Sequence, residues 1–367
     1  MRDAGVRDAA AAPASDAAQL PAADAAVSDA AVSNAAVSDA AVSVDASAAL
    51  DAGSASEDDA AMSDPAAALR WQRAADCPVA RFEAGSVWFE NELWVLGGFV
   101  TADLAVTRRV DIYDPERDSW RRGPSLPNAE THFGIVADGD SLLVFGGMQG
   151  GAGNPTAEVW RLPHGASTWS REPDLPGRRS AFAWGQIGRR LHVAGGLGED
   201  NDTDIASHLA RDLAGSDGWQ PLPDLPDPRN HGGSAVVGGK LYAVAGRHRW
   251  DESAGHTTSL HVFDPARGSW QPLAAMPIAR SEISAATFTT AGGRIVSVGG
   301  STAGVKPSAD VLEYDAVRDR WRALPSLPEP RKGAVAVRAG KRVVVSTGSP
   351  TSTDPSASTF IGCCLED

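Results

Sequence analysis

Six tryptophans, Trp71, Trp120, Trp169, Trp219, Trp270 and Trp321, follow one another at steps of 49, 49, 50, 51 and 51 residues. Each brings the same satellites. Seven residues on stands a proline: Pro78, Pro127, Pro176, Pro226, Pro277 or Pro328. The tenth residue is Arg81, Glu130, Arg179, Arg229, Arg280 or Arg331. A small pair follows 26 residues after the tryptophan in five copies: Gly97-Gly98, Gly146-Gly147, Gly195-Gly196, Ala245-Gly246 and Thr347-Gly348. In the fifth copy the pair, Gly299-Gly300, comes three residues later, which places an insertion within "TFTTAGGRI". A period near 50 in constant register is a repeat architecture, in which each unit buries its faces against its neighbours.

Each copy reads as four short strands. "GGSAVVGG" or "GAVAVRAG" supplies the first, and "KLYAVAG" or "SLLVFGG" the second, ending in the small pair. In "DIYDPERDSW" and "HVFDPARGSW" an Asp-Pro turn joins the third strand to the fourth, which holds the tryptophan. Glycine suits points where backbones crowd or φ turns positive. The tryptophan is expected to fill the wedge between neighbouring units, purely as packing. The Gly-Gly pair, Tyr113 and Tyr314, the spaced tryptophans and the "LPDLPDPR" linker resemble the kelch repeat across residues 70–367. The resemblance implies an all-β fold, a six-bladed β-propeller with four antiparallel strands per blade. The first tryptophan strand precedes every other strand, and the chain ends after a third-strand segment, "STFIGCC". The N-terminal strand is therefore expected to complete the last blade and remove its open edge. That pairing sets Trp71 beside the end of "STFIGCC" and Cys77 about 20 Å away at ~3.3 Å per residue, too far for a bridge to either C-terminal cysteine.

Residues 1–69 are of another kind. They carry 12 acids against 2 bases and include the five-residue repeat "AAVSDAAVSNAAVSDAAVS". Almost no large apolar side chain is present to offset the entropy of ordering, so a disordered acidic spacer is expected. Cys77, Cys363 and Cys364 are too few and too badly spaced for a cysteine zinc site. Three free thiols are expected, with a vicinal Cys363–Cys364 bridge as the alternative. No metal and no cofactor are expected. The net charge of −14 argues against nucleic acid, and the longest apolar runs are strand-sized, so no transmembrane segment is expected.

The site is expected at the mouth of the central channel. Arg81, Arg179, Arg229, Arg280 and Arg331 open the innermost strands, with Glu130 in the sixth place, and are read as a ring on one rim. Two roles stand open for them. They pin interblade loops by bonding carbonyls, or they bind carboxylates through the planar guanidinium. Channel-mouth arginines bind acidic peptides in the eukaryotic kelch adaptors this part resembles. Residues that break the repeat point to one sector. There Arg229, Asn230, His231, Arg280 and Glu282 meet the loop "AGRHRWDESAGHTTS", which carries Arg247, His248, Arg249 and His256. Glu130, Glu282, His231 and His248 are the candidate proton carriers, and His132 lies close to the first.

The expected function is a binding module for an anionic ligand, a carbohydrate or a protein partner, and a monomer is expected. The alternative is a sugar mutarotase, because bacterial sialic acid mutarotases share six kelch blades with charged residues at the channel mouth. Galactose oxidase also resembles the chain through its kelch domain. Its copper radical site needs two tyrosine ligands, and Tyr113, Tyr242 and Tyr314 all sit in regular repeat strands, so a copper oxidase is excluded. The tail resembles the stalks of exported bacterial lipoproteins. An envelope location is expected if the start is incomplete, and a cytoplasmic one otherwise.

Overall fold

The computed structural model describes residues 69–151, 153–250, 255–363 and 365. All fall in the second of two units, Ala61–Asp367. The acidic spacer and the Cys363–Cys364 bridge lie outside the described residues.

Six four-stranded antiparallel sheets follow one another as blades. Blade 1 is Gly85–Phe89, Glu92–Leu96, Val110–Asp114 and Ser119–Arg122, from the channel outward. Blade 2 runs Gly134–Asp138 to Ser170–Glu172, blade 3 Ala183–Ile187 to Gln220–Leu222, blade 4 Gly233–Val237 to Ser269–Pro272 and blade 5 Thr287–Thr289 to Arg320–Leu324. Blade 6 has Val335–Ala339, Arg342–Ser346 and Thr359–Cys363, and its outer strand is the N-terminal Arg70–Ala74. Trp71 pairs with Gly362 and Arg70 with Cys363, the closure and register read from the sequence. Cys77 bonds Ala357 at the other end of that ladder, and both described cysteines are free thiols. Among the described residues, no helix is long and apolar enough to cross a membrane.

The core is a circle of interblade layers rather than one central mass. Trp94, Leu96, Val110 and Ile112 of blade 1 pack on Phe133, Ile135, Leu142 and Val144 of blade 2. Across the closure, Leu93, Val95 and Tyr113 meet Val335, Val337 and Val344 of blade 6. The tryptophans do more than pack. The indole N–H of Trp71, Trp120, Trp270 and Trp321 donates to a carbonyl of the preceding blade: Pro325, Ala75, Pro223 and Ala274 respectively, at 2.8–3.0 Å. The reading as pure packing is corrected accordingly. The small pairs mark where blades crowd. Gly98 has φ +92, and a Cβ there would stand 2.8 Å from the Phe82 carbonyl. The insertion in the fifth copy lies mainly elsewhere than expected. Its inner strand is preceded by the 3-10 turn Ser284–Ala286, so most of the added length comes before "TFTTAGGRI".

Candidate functional site

Antiparallel strands put the second-to-third-strand loops and the interblade linkers on one face. The chain enters each inner strand from that face, and the tryptophan register orders what happens there. At the tenth residue the five arginines turn into the blades. Arg81, Arg179, Arg229, Arg280 and Arg331 are all buried. Arg229 donates to the carbonyls of Ala245 (2.6 Å), Ala243 (2.8 Å) and Asp227 (2.7 Å). Arg280 donates to Gly299, and Arg331 to Thr347 and Ser358. Arg179 donates to Ser207. Arg81 reaches Gly97, Arg109 and the buried carboxylate of Asp111. The rim ring expected from the sequence is thus an internal one. Each guanidinium satisfies carbonyls where the second strand ends and the third begins, the first of the two roles left open above.

Glu130 takes the same place in blade 2. It is buried in the short ladder of Glu130–Thr131 with Met148–Gln149, outside the residues lining the channel constriction. Burial, aided by Glu158 and opposed by a hydrogen bond from Gln149, raises its pKa to about 8. A proton held more tightly in the fold than in the unfolded chain lends stability below the ordinary value of 4.5, and that stability is lost as the pH climbs through about 8. Glu130→Gln should therefore gain roughly 1–3 kcal/mol over the native chain at pH 8 and almost nothing at pH 5. Urea melts at both pH values check this; an equal difference at the two would mean that Glu130 does not titrate.

Two residues further on, the chain turns toward the channel axis. Glu83, His132, Ala181, His231, Glu282 and Gly333 stand at this twelfth place, and all six have left-handed φ between 50 and 57. Their backbones join in a ring. Glu83 N–H donates to Gly333, Gly333 to Glu282, Glu282 to His231, His231 to Ala181 and Ala181 to His132. The Thr131 hydroxyl supplies the sixth link by donating to the Glu83 carbonyl at 2.6 Å. Five of these positions carry a side chain despite the strain, and four of the five are ionisable.

The four line a constriction of about 30 Å³ together with Phe133, Trp184 and Ser284. His132 Nε2 is 2.5 Å from a Glu83 oxygen, and the His132 and His231 rings meet edge to face at 4.7 Å. Arg247 Nη1 donates to Glu282 at 3.3 Å, and Lys332 Nζ lies 3.0 Å from the same carboxylate. Burial alone would raise Glu83, but His132, Lys332 and Arg247 together hold it below the ordinary carboxyl value. Burial and the Glu83 charge push Glu282 the other way. Burial, then Arg247 and His132, drive His231 well below the imidazole range, so it is neutral. Its tautomer is set by its neighbours. Asn230 Nδ2 donates to Asp204 and to the Arg249 carbonyl, which turns Asn230 Oδ1 to His231 Nδ1–H. The other nitrogen, Nε2, accepts from Arg247 Nη2 at 3.2 Å.

Of the residues singled out in the sequence, Asn230, His231, Arg247 and Glu282 do come together. His248 stays exposed, paired with Asp227 at 2.8 Å. Glu83, Lys332 and Asp204 were not singled out, and neither was Trp250, whose ring lies 4.8 Å from the Arg247 guanidinium. The signal for the first was present in the twelfth-place series, which varies where the tenth is nearly constant. Below the constriction the channel widens into a cavity of about 410 Å³ walled by inner strands, with Trp88, Trp184 and Phe288 among its lining.

The sequence profile of the KLHDC2/KLHL20/DRC7 Kelch-repeats domain matches residues 135–348, and the Kelch motif matches residues 80–127. Kelch domain-containing protein 8B of Rattus norvegicus is 29% identical over 135 residues, 35% of this chain and 38% of the relative. Kelch-like protein terF of Aspergillus terreus is 28% identical over 166 residues, 43% of this chain and 35% of the relative. Kelch-like protein 34 of Homo sapiens is 30% identical over 138 residues, 35% and 21% of the two chains. The chain thus spans well under half the length of these relatives. With a matched domain covering more than half the sequence, and six four-stranded blades closed by the first strand, the chain belongs to the kelch-repeat domain family.

Proposed function

We propose that this propeller is a protein-interaction module whose partner docks over blades 3 and 4, on the face of the second-to-third-strand loops. One observation carries the reading. The middle strands of blade 4, Lys240–Arg247 and His256–Asp264, have 8 and 9 residues, against 5 in the middle strands of every other blade. In this blade the ladder of the hairpin continues past the small pair to Arg247 and His256, where the other blades interrupt it. Half-buried Trp250 follows the hairpin's first strand, and exposed Glu199, Asp200 and Asp202 stand in the loop of blade 3. The blades need neither feature, and loops on a rigid scaffold are where recognition concentrates.

The charge open to a partner beside the hairpin is mainly acidic, and the arginines that suggested an anionic ligand are spent inside the blades. The partner chemistry that fits is a basic segment with an apolar residue for Trp250. The mutarotase alternative gains no support from the relatives and is not carried further. A peptide array with acidic, neutral and basic members tests the reading. Basic peptides should be captured, and the double variant Glu199→Gln/Asp202→Asn should bind them about 10-fold more weakly, on the order of 1.4 kcal/mol. Preferential capture of acidic peptides, or basic capture unchanged in the variant, would refute this docking site.

A further inference from the structure

We propose that the channel constriction is a binding site for one divalent transition-metal ion of the zinc class, held by Glu83, His132 and His231. The proposal is independent of the docking reading, since it concerns the ring and not the hairpin.

Three observations converge. One ligand atom from each of Glu83, His132 and His231 lies within 4.8 Å of the others, and the three residues come from three different interblade linkers. The cavity they border, about 30 Å³, is the size of an ion or a water molecule. The ring nitrogens of His132 are shielded from solvent; Nε2 meets Glu83 Oε2 at 2.5 Å, and Nδ1 makes no hydrogen bond among the described residues. The Glu83 contact is a histidine–carboxylate pair, and an ion that displaces its shared proton is held by both groups.

The surroundings are those of a prepared ligand set. A histidine that binds metal through one nitrogen usually donates the other N–H to an oxygen, which fixes its tautomer and orientation. His231 does so to Asn230 Oδ1, and Asn230 is itself held by Asp204. Imidazole with carboxylate suits zinc and its neighbours in the first transition row. Three protein ligands leave a coordination position open, as in sites where the metal meets water or a further group.

Arg247 is the competitor. Its Nη2 lies 3.2 Å from His231 Nε2, so the ion must displace that contact. Glu282 and the face of Trp250 retain the guanidinium when it turns away. Lys332 is already neutralised by Glu282, so the ion adds its charge beside Glu83 rather than beside an unpaired cation.

The test uses the full chain, stripped with a chelator and titrated with zinc by calorimetry and with cobalt(II) by visible spectroscopy. One equivalent should bind. Cobalt should give ligand-field bands without the near-ultraviolet band of thiolate ligation. Glu83→Gln, His132→Gln and His231→Gln should each weaken binding at least ~10-fold, and Asn230→Ala about 10-fold. Circular dichroism checks that each variant is folded. No binding to the native chain overturns the proposal. A thiolate band in the native cobalt spectrum overturns it as well, even if every variant unfolds. Affinity unchanged in folded His132→Gln and His231→Gln would equally place the ion elsewhere.

Discussion

Arg81→Met should cost the propeller about 3–5 kcal/mol, the largest single loss expected from a polar residue in this chain. The guanidinium is fully buried and pairs with Asp111, whose side chain is also fully buried. It donates as well to the Gly97 carbonyl at 3.3 Å and the Arg109 carbonyl at 3.2 Å. Methionine fills much of the volume and supplies none of the donors. Asp111 keeps Arg109 as a partner, which limits the loss but does not replace two carbonyl bonds. Arg229→Met and Arg280→Met should also lower stability, because their donors are spent in the same way. For all three the geometry selects the first of the two roles left open by the sequence, that of bonding carbonyls within the blades. Arg249→Ala, at an exposed position, is the control and should stay within about 0.5 kcal/mol. Guanidinium chloride melts decide it. A loss below 1 kcal/mol at Arg81 would mean that the blade does not depend on its internal guanidinium.

Acid should unfold this protein through one histidine pair. His192 and His208 sit on the neighbouring middle strands of blade 3, with His192 Nδ1 3.0 Å from His208 Nε2. His208 lies edge-on to Phe263 of blade 4 at 4.6 Å and beside Trp270 at 5.3 Å. Burial, and then the charge of Arg190, brings the pKa of His192 down to about 4. Burial, and then His192, brings His208 down to about 3. Both rings are thus neutral in the fold and take up protons readily when it opens. For a histidine lowered in this way, stability is complete above the ordinary value of 6.5 and is lost as the pH falls through about 4 and 3. The native chain should lose roughly 3–6 kcal/mol more than His192→Leu/His208→Leu between pH 7 and pH 4. Carboxylates titrate in both proteins, so the difference between their stability curves isolates the pair. Parallel curves would contradict the assignment.

The blades were legible because they repeat. Trp71 and the five tryptophans after it, with the Gly pairs in register, define strand order, blade number and the closing partner of Thr359–Cys363 without any three-dimensional knowledge. The arginines were harder for the same reason. A residue that recurs at every tenth place satisfies a recurring need, and sequence alone does not say whether that need is a carbonyl or a ligand. Glu83 and Lys332 went unnoticed because their meeting with His132 and Glu282 depends on the ring closing, which brings linkers about 50–250 residues apart to one axis. His231 and Glu282 were found because they depart from the repeat. What the sequence did not disclose is the left-handed backbone at the twelfth place, which aims these side chains inward.

Hydrogen–deuterium exchange on the full chain, with and without a saturating basic peptide from the array, tests the central claim that partners dock over blades 3 and 4. Protection should concentrate in residues 197–205 and 247–258, the loop of blade 3 and the long hairpin segment of blade 4. The turns on the opposite face, such as residues 315–319 with fully exposed Val317, should exchange as before. Protection at those turns, with the hairpin and its neighbouring loop unchanged, would contradict the account.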